Sequence, residues 1–151
     1  MRKNLWDTLQ RHATPEDIDQ IVELEQLSYD DCYTRDAIEM LMESQTFYVN
    51  TLEDQVLGYV TYKHQLNEQQ EDCICIYRLA VHPSCRHRGI GWRLVDFVVG
   101  VARTMNKELE FVLMTDDLPI ASQCFLAAMK FERVREAGIV AVYSYAGDKD
   151  E

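Results

Sequence analysis

Between Thr14 and Leu27 the apolar positions recur with helical spacing. Ile18, Ile21, Val22, Leu24 and Leu27 form one stripe. Thr14 suits the cap, Pro15 the first helical position, and Glu16 and Asp17 the positive helix end. A second helix is predicted from Thr34 through Ala37, Ile38, Leu41 and Met42, and Leu5 to His12 reads as a short strand before both. At Thr46 the pattern changes to alternating β-branched and aromatic residues, broken at Glu53-Asp54. Two strands, Thr46–Leu52 and Gln55–His64, joined by a hairpin turn, are expected there. After a polar loop at 67–72, residues 73–81 (CICIYRLAV) read as a third strong strand.

The second half alternates strand and helix. Ile90 to Met105 has a broad apolar face of Leu94, Val95, Val98, Val99, Ala102 and Met105. Glu108 to Met114 reads as a strand, Ile120 to Met129 as a helix, and 132–145 as a closing hairpin turning near Glu136–Gly138. The predicted order is β-α-α-β-β-β-α-β-α-β-β. It points to an α/β fold, a mixed central sheet with helices on both faces. A chain of 151 residues suits a single domain, with a core over about residues 5–145 and an acidic tail, 147–151, that frays.

Composition narrows the function. Hydrophobic residues make up 47% and charged residues 27%, as in a soluble globular protein. No apolar run is long enough to span a membrane, and the start lacks the apolar stretch of a secretory signal. The formal net charge of −11 argues against nucleic-acid binding, which needs clustered Lys and Arg. It suits an amine-bearing substrate drawn by the overall field, or solubility alone. The five cysteines are expected as reduced thiols in a cytoplasmic protein. Cys73 and Cys75 share a strand face, but no second pair of thiols or histidines follows at zinc spacing, so no metal site is expected.

The segment 78–95, RLAVHPSCRHRGIGWRLV, carries the chemistry. A buried strand ends at Val81 and Pro83 stops it. Arg86, His87 and Arg88 follow, then Gly89-Ile90-Gly91 opening a helix. Glycines at a strand-to-helix turn let backbone N–H groups approach an anion, and the helix end adds positive partial charge. Three basic side chains in an acidic chain sharpen this into a pyrophosphate cradle. No Gly-Lys-Ser/Thr of a Walker loop is present, nor the three-glycine spacing of a dinucleotide fold. A plain tight turn would not need three basic residues beside two glycines.

Arg86, Gly89 and Gly91 match the [Q/R]-x-x-G-x-[G/A] signature, and the chain resembles the GNAT family of N-acetyltransferases over about residues 5–145. The LEQLSYDDCYTRDAI segment is faintly similar to the branch acting on protein N-termini, the ribosomal-protein alanine acetyltransferases among them. The resemblance implies acetyl-CoA as co-substrate. It implies backbone of Leu79, Ala80 and Val81 along the pantetheine arm, and N–H groups from Arg86, His87, Arg88, Gly89, Ile90 and Gly91 on the pyrophosphate. A neutral amine then attacks the thioester directly, helped by a base and a donor for the leaving thiolate.

The resemblance breaks at residues 122–131. Leu126 stands where the family often has its proton-donating tyrosine, Lys130 replaces a glycine, and Phe131 fits the closing aromatic. Tyr143, Tyr145 and Cys124 are substitute donors. The plain readings are packing for the tyrosines and a small buried apolar residue for Cys124. Asp116 and Asp117, past the fifth strand, are a base or a helix cap. Tyr77, His64 and His82 are lesser candidates. By resemblance, 28–34 and 135–145 select the acceptor, where Tyr29, Asp30, Asp31 and Tyr33 suit a cationic amine. The expected protein is an N-acetyltransferase acting on a small amine or a peptide or protein N-terminus. The alternative is a catalytically silent coenzyme-A-binding sensor or partner subunit. No membrane partner is expected, and a homodimer is left open.

Overall fold

The computed structural model describes residues 8–114 and 120–147. The strands are β1 Leu9–His12, β2 Thr46–Leu52, β3 Gln55–Leu66, β4 Asp72–Val81, β5 Glu108–Met114, β6 Phe131–Ala137 and β7 Val140–Tyr145. The helices are α1 Ile18–Ser28, α2 Arg35–Leu41, α3 Ile90–Met105 and α4 Ile120–Ala128. This is the expected order. The strands form a seven-stranded sheet, β1-β2-β3-β4-β5-β7-β6, in which β4 and β5 are parallel while β1–β2, β2–β3, β5–β7 and β6–β7 are antiparallel. Two compact units share the chain, residues 1–62 with 79–97, and 63–78 with 98–151. Among the described residues no helix is long and apolar enough to cross a membrane.

In the first unit the start of the helical segment is tied to β1. A 3-10 turn, Pro15–Asp17, precedes α1. Asp17 accepts two bonds from the Arg11 guanidinium, at 2.7 and 2.9 Å, and one from the Thr14 N–H at 2.8 Å. It is therefore buried, and Arg11 first of all holds its carboxyl below the usual range. The expected stripe mostly points inward: Ile18, Ile21 and Leu24 pack with Ile38, Phe47, Val49, Val56, Tyr59 and Ala80. Leu27 is the exception and is exposed. Thr34 caps α2 by accepting the Ala37 N–H at 3.2 Å.

The β2–β3 turn uses Glu53 and Asp54 at φ +48° and +69°, the left-handed pair that matches the twist of a tight hairpin. Its register shifts so that Asn50 faces Gly58 while Thr51 faces Val56. Leu57 is the extra residue of this bulge, and its carbonyl accepts the His82 N–H at 2.8 Å. Gly58 lies beside it. A Cβ there would stand 3.1 Å from the Ala80 carbonyl oxygen, 3.1 Å from Ile90 and 3.2 Å from Leu94. The missing side chain is what lets the first turns of α3 pack so closely.

In the second unit the parallel register runs from Cys73↔Glu108 to Ile76↔Phe111. β7 lies against β5 with Tyr143 opposite Phe111. Phe131 contacts Phe111 and Tyr145 edge-on, with centroids 6.0 and 5.4 Å apart. The closing hairpin turns at Gly138 and Ile139, just past the expected position. Val98, Val99 and Ala102 of α3 are buried as expected, but Met105 in its last turn is exposed.

Candidate coenzyme cradle

β4 ends at Val81, and the 3-10 turn Pro83–Cys85 carries the chain away from the sheet. His82 holds this turn. Its Nδ1 accepts the Ser84 N–H at 3.2 Å and shares a hydrogen bond with Ser84 Oγ at 2.8 Å. Its carbonyl accepts the Cys85 N–H at 2.8 Å. The ring serves as a cap, which accounts for a histidine at the end of the strand. His87 and Gly89 then take left-handed φ values of +63° and +88°. Such turns make concave arrays of N–H groups. Arg93 N–H donates to the Gly89 carbonyl at 2.9 Å, closing the first turn of α3. The N–H groups of the residues just before Arg93 thus have no acceptor within the helix. No acidic residue stands in that first turn, so nothing there offsets its positive end.

A Cβ at Gly89 would meet no atom within 4 Å, so the space above the turn is open. Arg86, His87, Arg88 and Gly89 are exposed and Ile90 is buried beneath them. The two arginines differ. Arg86 Nε donates to the Val81 carbonyl at 3.1 Å and its Nη2 to Ser28 Oγ at 3.3 Å. Arg88 makes no side-chain hydrogen bond or ion pair among the described residues, leaving its five donors to solvent. The arginines of the basic turn therefore play different parts. Arg86 braces the turn and Arg88 is the uncommitted cation.

Alternate residues of a strand turn their N–H and C=O to the same edge. His82 uses the edge toward Leu57, so Leu79 and Val81 present theirs on the other. Two carbonyls on that edge are engaged: Leu79 by the Tyr29 hydroxyl at 2.6 Å, and Val81 by Arg86. Tyr29 opens the 29–34 segment between α1 and α2. The base of that segment is held by Glu25, fully buried, which accepts the Tyr33 N–H at 2.8 Å and a short bond from the Tyr59 hydroxyl. Ser28, Tyr29 and Arg86 thus join the end of α1 to the end of β4.

The first unit brings together Leu79, Ala80, Val81, Arg86, His87, Arg88, Gly89, Ile90 and Gly91. Tyr143 and Tyr145 belong to the second unit. Tyr143 is buried, and Tyr145 accepts a 3.4 Å hydrogen bond from Arg103 in the last turn of α3. Asp116 and Asp117 lie outside the described residues. Leu126 is buried on α4. Cys124 is exposed, which corrects its reading as a buried apolar residue. His64 pairs with Asp72 at 2.8 Å on the surface. Burial pushes the Tyr77 hydroxyl up to about 12, so at neutral pH it keeps its proton.

Sequence reasoning missed Gly58, Ser28 and Glu25. A glycine inside an otherwise strong strand was a usable signal for a close approach. The other two act through contacts between distant segments, which spacing does not reveal.

A family model described as the acetyltransferase (GNAT) family matches residues 6–125. The chain belongs to this family, whose members are acetyltransferases that use acetyl-CoA. Among curated proteins, none matches the sequence. Solved structures share the fold at low identity. NAA60 of Arabidopsis thaliana, in complex with a bisubstrate analogue, is 16% identical with a TM-score of 0.77, covering 91% of this chain and 97% of its own. The ribosomal-protein-S18-alanine N-acetyltransferase of Escherichia coli is 11% identical with a TM-score of 0.74, covering 95% and 99%. The PaiA N-acetyltransferase of Thermoplasma acidophilum, in complex with coenzyme A, is 15% identical with a TM-score of 0.71, covering 91% and 98%.

Proposed function

We propose that the protein transfers the acetyl group of acetyl-CoA to the primary amine at a peptide or protein N-terminus. The observation that carries the coenzyme half of this reading is the strand–turn–helix from Leu79 to Gly91; the acceptor is suggested by the ribosomal-protein-S18-alanine N-acetyltransferase among the structural neighbours. The strand–turn–helix combines a left-handed glycine under open space, a helix end without acidic residues, and an uncommitted arginine. In this reading the N–H groups of 86–91 receive the pyrophosphate and Arg88 adds a charge-assisted bond. The pantetheine amides run along the Leu79–Val81 edge, as an added strand would. Where they need the carbonyls, they displace Tyr29 and Arg86.

The acceptor amine attacks as the neutral base. The new C–N bond forms as the C–S bond breaks, and the sulfur leaves as a thiolate. A thiol pKa near 8.5 makes that thiolate a tolerable leaving group at neutral pH. Leu126 donates no proton, so another acid supplies it in this reading; Tyr143 and Tyr145 are the tyrosines to test for that role, and Asp116 the residue to test for taking the amine proton through water. The 29–34 segment, with Tyr29, Asp30, Asp31 and Tyr33, receives the acceptor, and its composition suits a cationic amine.

The test is coenzyme release over a panel of peptides with free N-termini and a panel of small amines. Turnover on peptides that stops when the N-terminus is blocked supports the reading. Turnover on small amines alone replaces the acceptor. Tight acetyl-CoA binding without turnover favours the silent sensor, for which the buried Leu126 is the supporting observation. Wild-type kcat in both Tyr143→Phe and Tyr145→Phe would remove the tyrosines from the mechanism.

A further inference from the structure

Outside the cradle, the densest set of reactive side chains lies where β4 begins. Cys73 and Cys75 alternate along the strand and so share a face. The parallel register places Glu110 of β5 opposite Cys75, on that same face. The three side chains are buried, and their sulfur and oxygen atoms lie within 4.8 Å of one another. The two Sγ atoms are 3.1 Å apart. We propose that Cys73, Cys75 and Glu110 form a binding site for one thiophilic divalent ion, with Zn2+ as its natural representative.

The geometry needs little change. Two thiolates at the usual Zn–S length of about 2.3 Å and tetrahedral angle stand about 3.8 Å apart. A modest χ1 adjustment opens the present pair to that distance. Two sulfurs and one carboxylate are three of the four ligands such an ion takes, and they leave one position for water.

The charges also balance. Without an ion the thiols carry their protons, as ordinary thiols do at neutral pH, and Glu110 is matched by Arg135. When the ion enters, each thiol gives up its proton to solvent and a sulfur–metal bond forms in its place. Two thiolates then neutralise two positive charges. Arg135 stays on Glu110, whose four lone-pair positions accommodate both a metal bond and the Arg135 bonds at 2.8 and 2.9 Å. Exchanging two protons for one divalent ion leaves the net charge of the cluster unchanged, as suits a poorly solvated site. Arg135 acts as the orienting outer partner of the ligating carboxylate.

Side chains from the end of β3 and from the β3–β4 connection cover the cluster. Gln65 Nε2 lies 3.7 Å from Cys75 Sγ, Asn67 Nδ2 donates to Glu110 at 3.3 Å, and Glu68 pairs with Arg135 at 2.7 Å. The Glu68 carboxylate is half exposed. Only the Glu68 carboxylate need leave for an ion to approach from this side, with Arg135 remaining on Glu110.

The experiment is a titration of the reduced full chain with Zn2+ against a chromophoric chelator, beginning from metal-stripped protein. One equivalent should be withheld from the chelator, with two protons released per ion. Cys73→Ser/Cys75→Ser should weaken binding a hundredfold or more, and Glu110→Gln about tenfold. Cys32→Ser/Cys124→Ser should bind like wild type. Absence of binding by wild type, or equal binding by Cys73→Ser/Cys75→Ser, overturns the site. Should the buried double substitution fail to fold, Cd2+ added to Cys32→Ser/Cys124→Ser decides. A thiolate-to-metal absorption band of two-sulfur intensity supports the proposal, and its absence overturns it.

Discussion

Gly58 and Gly89 stand near the two ends of one arrangement, β3 beneath the first turn of α3 and the turn that leads into it, and they are glycines for opposite reasons. Gly58 has ordinary strand geometry and no room: backbone and two buried side chains stand where its Cβ would be. Gly89 has ample room and a left-handed backbone. The crowding at Gly58 serves the protein's own helix, whereas the space at Gly89 is filled by no atom of the described residues within 4 Å of a Cβ there. Left-handed φ alone does not demand glycine in this molecule. Glu53, Asp54, Gln70, His87, Asn106 and Lys130 all adopt it. Gly89, at +88°, lies beyond the +48° to +69° of those six, so its dihedral favours glycine, and the open space above it is a separate feature.

Substitution separates the two roles. Gly89→Val should lower coenzyme affinity by about a hundredfold or more, close to 2.7 kcal/mol, while the fold persists. Calorimetry with acetyl-CoA reads this directly, and unchanged affinity in a folded variant would place the ligand elsewhere. Gly58→Ala should do the converse, costing about 1–3 kcal/mol of stability through overpacking. A urea midpoint that does not move would mean that Ile90 and Leu94 yield easily. Arg88→Ala comes next, with about a tenfold loss in coenzyme affinity that shrinks as salt rises. An equal loss from Arg86→Ala would say that the brace opens to bind phosphate.

Two smaller effects concern stability alone. The folded Asp17 carboxyl is held low, first of all by Arg11. The stability from that pair is complete above the unfolded carboxyl's pKa near 4 and is lost as pH falls through the lower folded value. Arg11→Ala should therefore lower Tm by about 2–4 °C at neutral pH, discounted for the exposed guanidinium, with the two curves converging in acid. Lys130→Gly should raise stability by about half a kcal/mol, the left-handed strain relieved less the entropy glycine adds to the unfolded chain. A lower Tm would show that the lysine side chain makes a compensating contact.

Elements whose cause is local were legible in the sequence. The stripe of α3, the cap at Thr34, the turn at Glu53-Asp54 and the basic glycine turn all lie within a few residues of what forms them. What escaped was set by pairing between distant segments. Asp17 reads as a solvated helix-start acid until Arg11 arrives from β1 and buries it. Cys73 and Cys75 share a strand face by their spacing alone, but Glu110 is brought beside them only by the register of a parallel strand. Arg86 looks the equal of Arg88 until Ser28 takes up one of its nitrogens. Parallel registers and crossing helices are fixed only once the sheet exists.

The contacts at the end of α1 have a thermodynamic consequence. Ser28 is joined to Arg86 and Tyr29 to the Leu79 carbonyl, so the last residue of α1 and the first of the 29–34 segment are bonded to side chain and backbone that flank the cradle. Any ligand that takes over Arg86 or the Leu79 carbonyl releases Ser28 or Tyr29, and any ligand that draws Tyr29 away releases Leu79. Two molecules bound at these places do not have independent affinities. Linkage makes the influence equal in both directions, so the factor by which one alters the binding of the other is a single number, measurable from either side.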